Sequence, residues 1–464
     1  MTRVLFASAE FVPIVSVGGL GAAAAGLVRE LRNQGAEVEV VVPDYNAVEL
    51  DDERRRHLTV PEWVGPAQVR SGSHPVAGPV HLVEVPGIRR SHPYTDAQGT
   101  GWADNDRRFF AASMAIAALA SELHPDVVHL NDWHTAAALA ATDPTTPAVL
   151  SIHNLAYQGE TGAAWLAHLG ARGGAFERAG ACNPLAGGIR LADAIIVVSP
   201  HYRDEILLPQ HACGLLDILR DRADALVGIR NGIDTTAWDP AADTHLARRY
   251  QRPNGAAKSA NRAAIRDALS LPHAEGALVV GVTRLAEQKG IDLLLPIVDY
   301  LPTMPAQLAV LGAGDAALAH ALRAEAQRLP ANVAFVEGYD EVLARRLLGG
   351  GDLLVMPSRF EPCGLTQMQA MRYATLPVAT DVGGLHDTIV DLDQDPAHGT
   401  GWLAPSPDPL ALLDALHRAV RGWRVPSVRR AAQRRGMSAD WSWQAPAAAH
   451  LELYERISSK NSVR

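Results

Sequence analysis

Cysteine is scarce. Only Cys182, Cys213 and Cys363 occur in 464 residues, far apart in sequence. An odd, dispersed set without a CxxC pair argues against a disulfide framework and offers no metal pattern. A reducing cytoplasm is the expected compartment. A basic excess is missing too. The net charge is −9 and is spread along the chain, so no stripe of cations invites nucleic acid. The clusters Arg54-Arg55-Arg56 and Arg429-Arg430 read as solvated faces. No apolar run approaches the ~20 residues of a membrane span, and no membrane partner is expected. The N-terminal apolar run 4–7 is soon broken by Glu10; it is too short for a signal-peptide core and reads as a first strand. A GxGxxG fingerprint is also absent, and after the second strand no clear ribose-binding acid follows, Asp44 being the nearest candidate. That disfavours a dehydrogenase.

What is present is alternation. A chain of this length suggests two domains of roughly 200 residues each. Apolar runs at 4–7, 38–42, 127–130, 148–152, 194–198 and 226–229 read as strands, with helices at 20–33 and 107–123 between them. Gly35 stands where a helix C-cap belongs. Short continuous apolar strands fit a parallel sheet buried on both faces, and the βαβ alternation makes the fold class α/β. The stretch after 229 has few long apolar runs and holds Pro240, Pro253 and Gly255; it reads as an interdomain connection. A second alternation follows, with strands at 278–282, 308–311, 333–336, 353–356 and 377–379 and helices at 291–300, 316–328 and 365–373. A final helix is expected at 443–457. Ligands in such folds bind at the carboxyl ends of strands.

The residues after those strands carry the chemistry. Gly18-Gly19-Leu20-Gly21 opens the first helix, where free N–H groups and the dipole favour a phosphate; a packing turn is the alternative. Asn131-Asp132-Trp133-His134 follows the strand at 127–130, with N-capping by Asp132 as the bland reading. Ser151-Ile152-His153-Asn154 ends the next strand, so neighbouring strand ends each deliver a histidine. Arg284 and Lys289, five residues apart at a strand-to-helix turn, can clamp a pyrophosphate or be solvated loop cations. Such a pair neutralises charge growing on a leaving diphosphate. The segment Ser358-Arg359-Phe360-Glu361-Pro362-Cys363-Gly364-Leu365-Thr366-Gln367 is the most specific. There Glu361 can accept from sugar hydroxyls, and Thr366 with nearby N–H groups can take a phosphate. Val382-Gly383-Gly384-Leu385-His386-Asp387 repeats the glycine-then-helix device.

At these residues the chain resembles bacterial glycogen synthases and plant starch synthases. The matches run nearly end to end: Glu10 with Gly18-Gly19-Leu20-Gly21, DVVHLNDWHT at 126–135, IHNLAYQG at 152–159, and residues 231–234, 284–290, 359–367, 371–373, 383–385 and 387–388. The resemblance implies a GT-B fold, two Rossmann-like domains facing a central cleft. Residues 1–232 would form the acceptor-side domain, 233–258 a linker, 259–440 the nucleotide-donor domain, and 441–464 a helix crossing back to the first domain. It implies a retaining, metal-independent glycosyltransferase without a cofactor, moving glucose from ADP-glucose to the non-reducing end of an α-1,4-glucan.

By motif match, Arg284 and Lys289 would hold the donor phosphates, and Glu361 would sit by the donor sugar. Cys363, Gly364, Leu365 and Thr366, with Gly18, Gly19 and Gly21, would complete the donor site. His153 would stabilise a developing oxocarbenium ion, with Asp132 shaping the pocket. Glu10, Tyr94, His134 and Asn154 would lie on the acceptor side. A monomer or homodimer is expected.

The chain also departs from the family pattern. Ser16 and Ala22 replace a lysine and an aspartate of the first glycine loop, and Ala186 and His201 stand where the family favours Lys and Thr. Loss of a cation beside a diphosphate removes an interaction of about 1.5–3 kcal/mol. Two alternatives follow. One is a diverged glycosyltransferase or pseudo-glycosyltransferase of aminooligosaccharide biosynthesis, using a donor such as a GDP-activated cyclitol. The other is a non-catalytic glucan-binding protein.

Overall fold

The computed structural model describes residues 2–46, 48–96 and 99–461. Two compact units emerge: Met1–Gly232 with Trp443–Arg464, and Ile233–Ser442.

The first unit is built on a nine-stranded sheet. Its strands are β1 (Arg3–Ala7), β2 (Glu37–Pro43), β3 (Asp51–His57), β4 (Gln68–His74), β5 (Gly78–Glu84), β6 (Val127–Asn131), β7 (Ala148–Ile152), β11 (Ala194–Val197) and β12 (Leu226–Gly228). Between β7 and β11 lie three two-residue strands, β8 (Thr161–Gly162), β9 (Glu177–Arg178) and β10 (Ala181–Cys182), in a separate small sheet. The large sheet runs β12-β11-β7-β6-β1-β2-β5-β4-β3. Every pairing from β12 to β5 is parallel; β5–β4 and β4–β3 are antiparallel. All five residues of β6 and of β7 are buried, as strands covered on both faces require. The helix Gly19–Asn33 buries Leu27, Val28 and Leu31 and ends before Gly35, whose φ is +96°.

The antiparallel extension β3–β5 escapes a reading by apolar runs. The edge strand β3 is Asp-Asp-Glu-Arg-Arg-Arg-His and almost wholly exposed, so the solvated arginines are strand residues. Arg70 on β4 is only 4 % exposed because Asp44 (3.0 Å) and Glu53 (2.6 Å) pair with it.

The helix Gln444–Asn461 returns to the first unit and packs on the helix Gly19–Asn33. Trp443, the residue before that helix, lies against Gly26, where an added Cβ would be 2.1 Å from its Nε1.

The second unit holds a parallel sheet of six strands in the order β15-β14-β13-β16-β17-β18. These are β13 (Ala277–Leu285), β14 (Ala306–Gly314), β15 (Val333–Glu337), β16 (Leu353–Met356), β17 (Leu376–Thr380) and β18 (Trp402–Ala404). The stretch 233–258, expected as a linker, is instead part of this unit. Leu246 and Tyr250 are buried in its core, and the Tyr250 hydroxyl lies 2.6 Å from the Tyr373 carbonyl. The helix Gly255–Ala268 begins inside the expected linker. There the buried Lys258 ammonium donates to the Tyr373 carbonyl (2.9 Å) and Thr375 Oγ1 (2.7 Å), and burial lowers its pKa to about 7. Sparse apolar anchors among polar residues hid this packing. Residues 291–300, expected as an ordinary helix, wind as a 3₁₀ segment with Pro296 inside. Proline lacks the N–H that an α-helical ladder needs. Among the described residues no helix is long and apolar enough to cross a membrane.

Gly26→Val is expected to drive a side chain into the Trp443 indole and cost about 1–3 kcal/mol through overpacking. Thermal unfolding measures it, and an unchanged Tm would show that the two helices do not depend on this contact.

Candidate active site

In the first unit three adjacent parallel strands, β1, β6 and β7, deliver side chains at their carboxyl ends. Glu10 follows β1 and is 4 % exposed. Its Oε2 accepts the N–H groups of Val17 (2.7 Å) and Gly18 (3.0 Å), and its Oε1 accepts the Tyr94 hydroxyl (2.8 Å). The carboxylate therefore holds the glycine loop in shape. Gly18 caps the helix that starts at Gly19, and Gly21 is buried beneath the loop. Ser16 and Ala22 are exposed, with Ser16 Oγ 3.5 Å from the Gly18 carbonyl.

Asp132 follows β6 with a φ of +54°, in the left-handed region that Asp and Asn tolerate best among non-glycine residues. Its carboxylate accepts the N–H of His153 (2.7 Å) and that of Asn154, which ties the end of β6 to the end of β7. Burial outweighs those two bonds, and nearby Glu10 adds repulsion, so the Asp132 pKa rises to about 7.

His153 Nε2 lies 2.9 Å from Asn131 Oδ1, while Asn131 Nδ2 donates to the Ala7 carbonyl at 2.9 Å. The amide orientation is thereby fixed, and Nε2 must carry the imidazole proton. Burial lowers the His153 pKa to about 4, so the ring is neutral at neutral pH. His134 sits among the rings of Trp133 (4.2 Å), Phe109 (4.8 Å) and Tyr94 (5.0 Å), and burial lowers its pKa to about 3. Its buried Nδ1 has no hydrogen-bond partner among the described residues. Asn154 Oδ1 accepts the Ala156 N–H (3.0 Å) and shapes the turn after β7. Glu10, Tyr94, Asp132, His134, His153 and Asn154 thus form one cluster.

In the second unit Arg284 lies exposed near the end of β13 and makes no side-chain hydrogen bond or ion pair among the described residues. Lys289 Nζ meets Glu361 Oε2 at 2.6 Å, and Ser358 Oγ donates to the same oxygen at 3.1 Å. Glu361 Oε1 has no hydrogen-bond partner among the described residues. The two loops are tied together by Arg359, which grips Asp292 with its two terminal guanidinium nitrogens (2.7 and 2.6 Å) and donates its backbone N–H to the Gln288 carbonyl (2.8 Å). Gly290 has a φ of +61°, and a Cβ there would fall 1.9 Å from the Pro357 carbonyl oxygen, so glycine alone lets these loops touch. Gln367 Nε2 reaches the carbonyls of Cys363 (3.1 Å) and Gly364 (3.0 Å), fixing the turn through Leu365 into the helix Thr366–Arg372. The Gly384 N–H donates to the Glu361 carbonyl, joining the two glycine-then-helix devices.

Asp44, the nearest ribose-acid candidate, is 1 % exposed and consumed by Arg70 (3.0 Å) and Arg89 (2.9 Å). Asn131, unassigned by sequence, sets the His153 tautomer; its place at the end of β6 was the available signal. Tyr339 stands 88 % exposed just beyond the carboxyl end of β15, and Arg284 lies at the carboxyl end of β13 in the same parallel sheet. Among the described residues no group of three or more His, Cys, Asp or Glu is placed to hold a metal ion.

Residues 3–221 match the family model of the starch synthase catalytic domain, and residues 264–436 match glycosyl transferases group 1. The chain is 42% identical to a glycogen synthase of Alkalilimnicola ehrlichii over 99% of both chains. It is 41% identical to one of Halorhodospira halophila, over 98% of this chain and 99% of that protein. Among solved structures it is similar to the catalytic domain of starch synthase IV from Arabidopsis thaliana bound to ADP and acarbose. There the TM-score is 0.87 and the identity 30%, over 99% of each chain. The fold and these matches define a glycosyltransferase of the GT-B class. More narrowly, the chain belongs to the glycogen synthase family.

Folding raises the Asp132 pKa from the ordinary carboxylate range to about 7, so between those values the folded chain binds more protons than the unfolded one. The stability this group contributes is complete below the ordinary carboxylate pKa and is lost as pH rises through about 7. Asp132→Asn should flatten that decline. Urea midpoints followed across this window would show it, and parallel curves for variant and wild type would refute titration of Asp132 there.

Proposed function

We propose that the protein transfers glucose from ADP-glucose to the 4-hydroxyl at the non-reducing end of an α-1,4-glucan or maltooligosaccharide, with retention of configuration. It does so without a metal or bound cofactor, in the cytoplasm, as a monomer or homodimer. The observation that carries this reading is the Arg284–Lys289–Glu361 group on two loops locked by Arg359 and Asp292. Full-length similarity to glycogen synthases supplies the substrate class.

Arg284, with no competing partner among the described residues, and Lys289, mobile once released from Glu361, neutralise the diphosphate as it leaves. Glu361 Oε1 accepts from a donor-sugar hydroxyl, while the turn from Cys363 to Thr366 and the Gly18, Gly19 and Gly21 loop present N–H groups. Tyr339 offers an exposed ring face to the nucleobase; such stacking contributes about 1–3 kcal/mol. The neutral His153 and the partly ionised Asp132 face the sugar carbon. Tyr94, His134 and Asn154 line the acceptor side, and Glu10 serves it by holding Tyr94.

The three site carboxylates are all engaged: Glu10 by two N–H groups and Tyr94, Asp132 by two N–H groups, Glu361 by Lys289 and Ser358. Glu361 keeps Oε1 for a sugar hydroxyl, and none of the three is without a partner among the described residues, which favours a front-face route. The C1–phosphate bond breaks with its electron pair going to the phosphate oxygen. That oxygen takes the proton of the acceptor hydroxyl, and the new C1–O4 bond forms on the same face. Trapping of a covalent glycosyl-enzyme would overturn this route.

Glycogen-dependent ADP release from ADP-glucose tests the reading. No release, together with tight binding of GDP, would instead favour the aminooligosaccharide alternative suggested by Ser16 and Ala22. Lys289→Ala is expected to lower kcat by roughly 10²–10³-fold, as loss of a charge-stabilising donor does. Steady-state rates measure it, and near-normal turnover would show that Lys289 does not stabilise the leaving diphosphate.

A further inference from the structure

We propose that the C-terminal helix positions His153 through a buried hydrogen-bonded column, Tyr454–His129–Ser151, which ends with His450 at a cavity holding one water molecule beside His153. The inference deepens the function proposed above and rests on it for its effect on rate.

The column has a fixed direction. Tyr454 is fully buried, and its hydroxyl lies 2.6 Å from His129 Nδ1, its one hydrogen-bond partner among the described residues. If that hydroxyl accepted instead of donating, its own proton would be buried without a partner, at a cost of about 1–3 kcal/mol. Tyr454 therefore donates to Nδ1. Burial keeps the His129 imidazole neutral, so it carries a single proton. That proton sits on Nε2 and is donated to Ser151 Oγ at 2.7 Å. The serine hydroxyl is then left with its own proton to give.

Ser151 lines a cavity of about 10 Å³ together with Asn131, His153, Asn231 and His450. His450 donates from Nδ1 to the Pro446 carbonyl at 2.8 Å, so its Nε2 is a bare acceptor. The cavity has room for about one water molecule, which needs two to four polar partners. The Ser151 proton and His450 Nε2 supply two of them, and the Asn231 amide is a third. The His129 and His450 rings lie nearly parallel, with centroids 5.8 Å apart and an angle of 19° between them.

His153 is thus held by Asn131 on Nε2, while its ring forms part of the wall of this cavity. The groups facing it are Glu10 after β1, Asp132 and His129 on and after β6, and His450 from the C-terminal helix. Fixed, neutral dipoles of this kind are preorganised for positive charge developing at a sugar carbon. An apolar filling would pack β6 and β7 equally well without setting any direction. Tyr454, His129, Ser151 and His450 are positioning residues in this scheme.

Tyr454→Phe removes one oxygen and keeps the ring. It should lower kcat about tenfold while both KM values stay within about twofold, the signature of a displaced reacting group and not of weakened substrate binding. The imidazole ¹⁵N shifts of His129 should change from one tautomer to a mixture, and those of His153 should move. Tyr250→Phe, which removes an equally buried hydroxyl from the second unit, should lower Tm without touching kcat or these shifts. If Tyr454→Phe behaves like Tyr250→Phe, losing Tm alone, the column is structural and the proposal is overturned. If the wild type itself does not turn over ADP-glucose, the proposed function fails, and the ¹⁵N shifts still decide whether the column sets His153.

Discussion

A buried carboxylate that reaches across two strand ends organises the cluster of the first unit. Asp132 leaves β6 in a left-handed turn and accepts the N–H groups that open the loop after β7. That span adds to the strand pairing of Asn131 with Ser151 in fixing the spacing of the two loops. With it, Asn131 can hold His153 from β6, and His134 can settle among Tyr94, Phe109 and Trp133. Removing a carboxylate from water is costly, and here the cost appears as a raised proton affinity.

The second unit solves a similar problem with opposite means. Its loops are joined by ion pairs near the surface and by a glycine that lets one backbone press on another. Lys289 and Glu361 partner one another, while Arg284 stands alone among the described residues. A site built this way keeps its cations solvated until an anion replaces the water or the carboxylate. The two units therefore differ in character: one buries the groups of its cluster, the other keeps them charged and exchangeable.

Much of this was legible from residue order. The parallel strands showed as short apolar runs because both their faces are covered, and the motifs fell at their carboxyl ends because that is where such sheets expose loops. What escaped had a physical reason in each case. β3 carries charges on both faces, since an edge strand needs no apolar face and is safer without one. The stretch 233–258 contributes two anchors, Leu246 and Tyr250, and satisfies its polar groups by hydrogen bonds that composition does not announce. The tautomer of His153 depends on how an asparagine from another strand is turned. The position of Glu10 after β1 was legible, but not that its oxygens bind the glycine loop and Tyr94.

The first unit is discontinuous in sequence: its sheet is complete by Gly228, yet the helix that packs on it starts at Gln444. During synthesis this unit must wait, with the groove meant for Trp443 and Tyr454 uncovered, while the whole second unit emerges from the ribosome. Final closure of the early half thus reports that the late half has been made. A chain interrupted within the second unit would expose that apolar groove, the kind of surface that chaperones and proteases recognise.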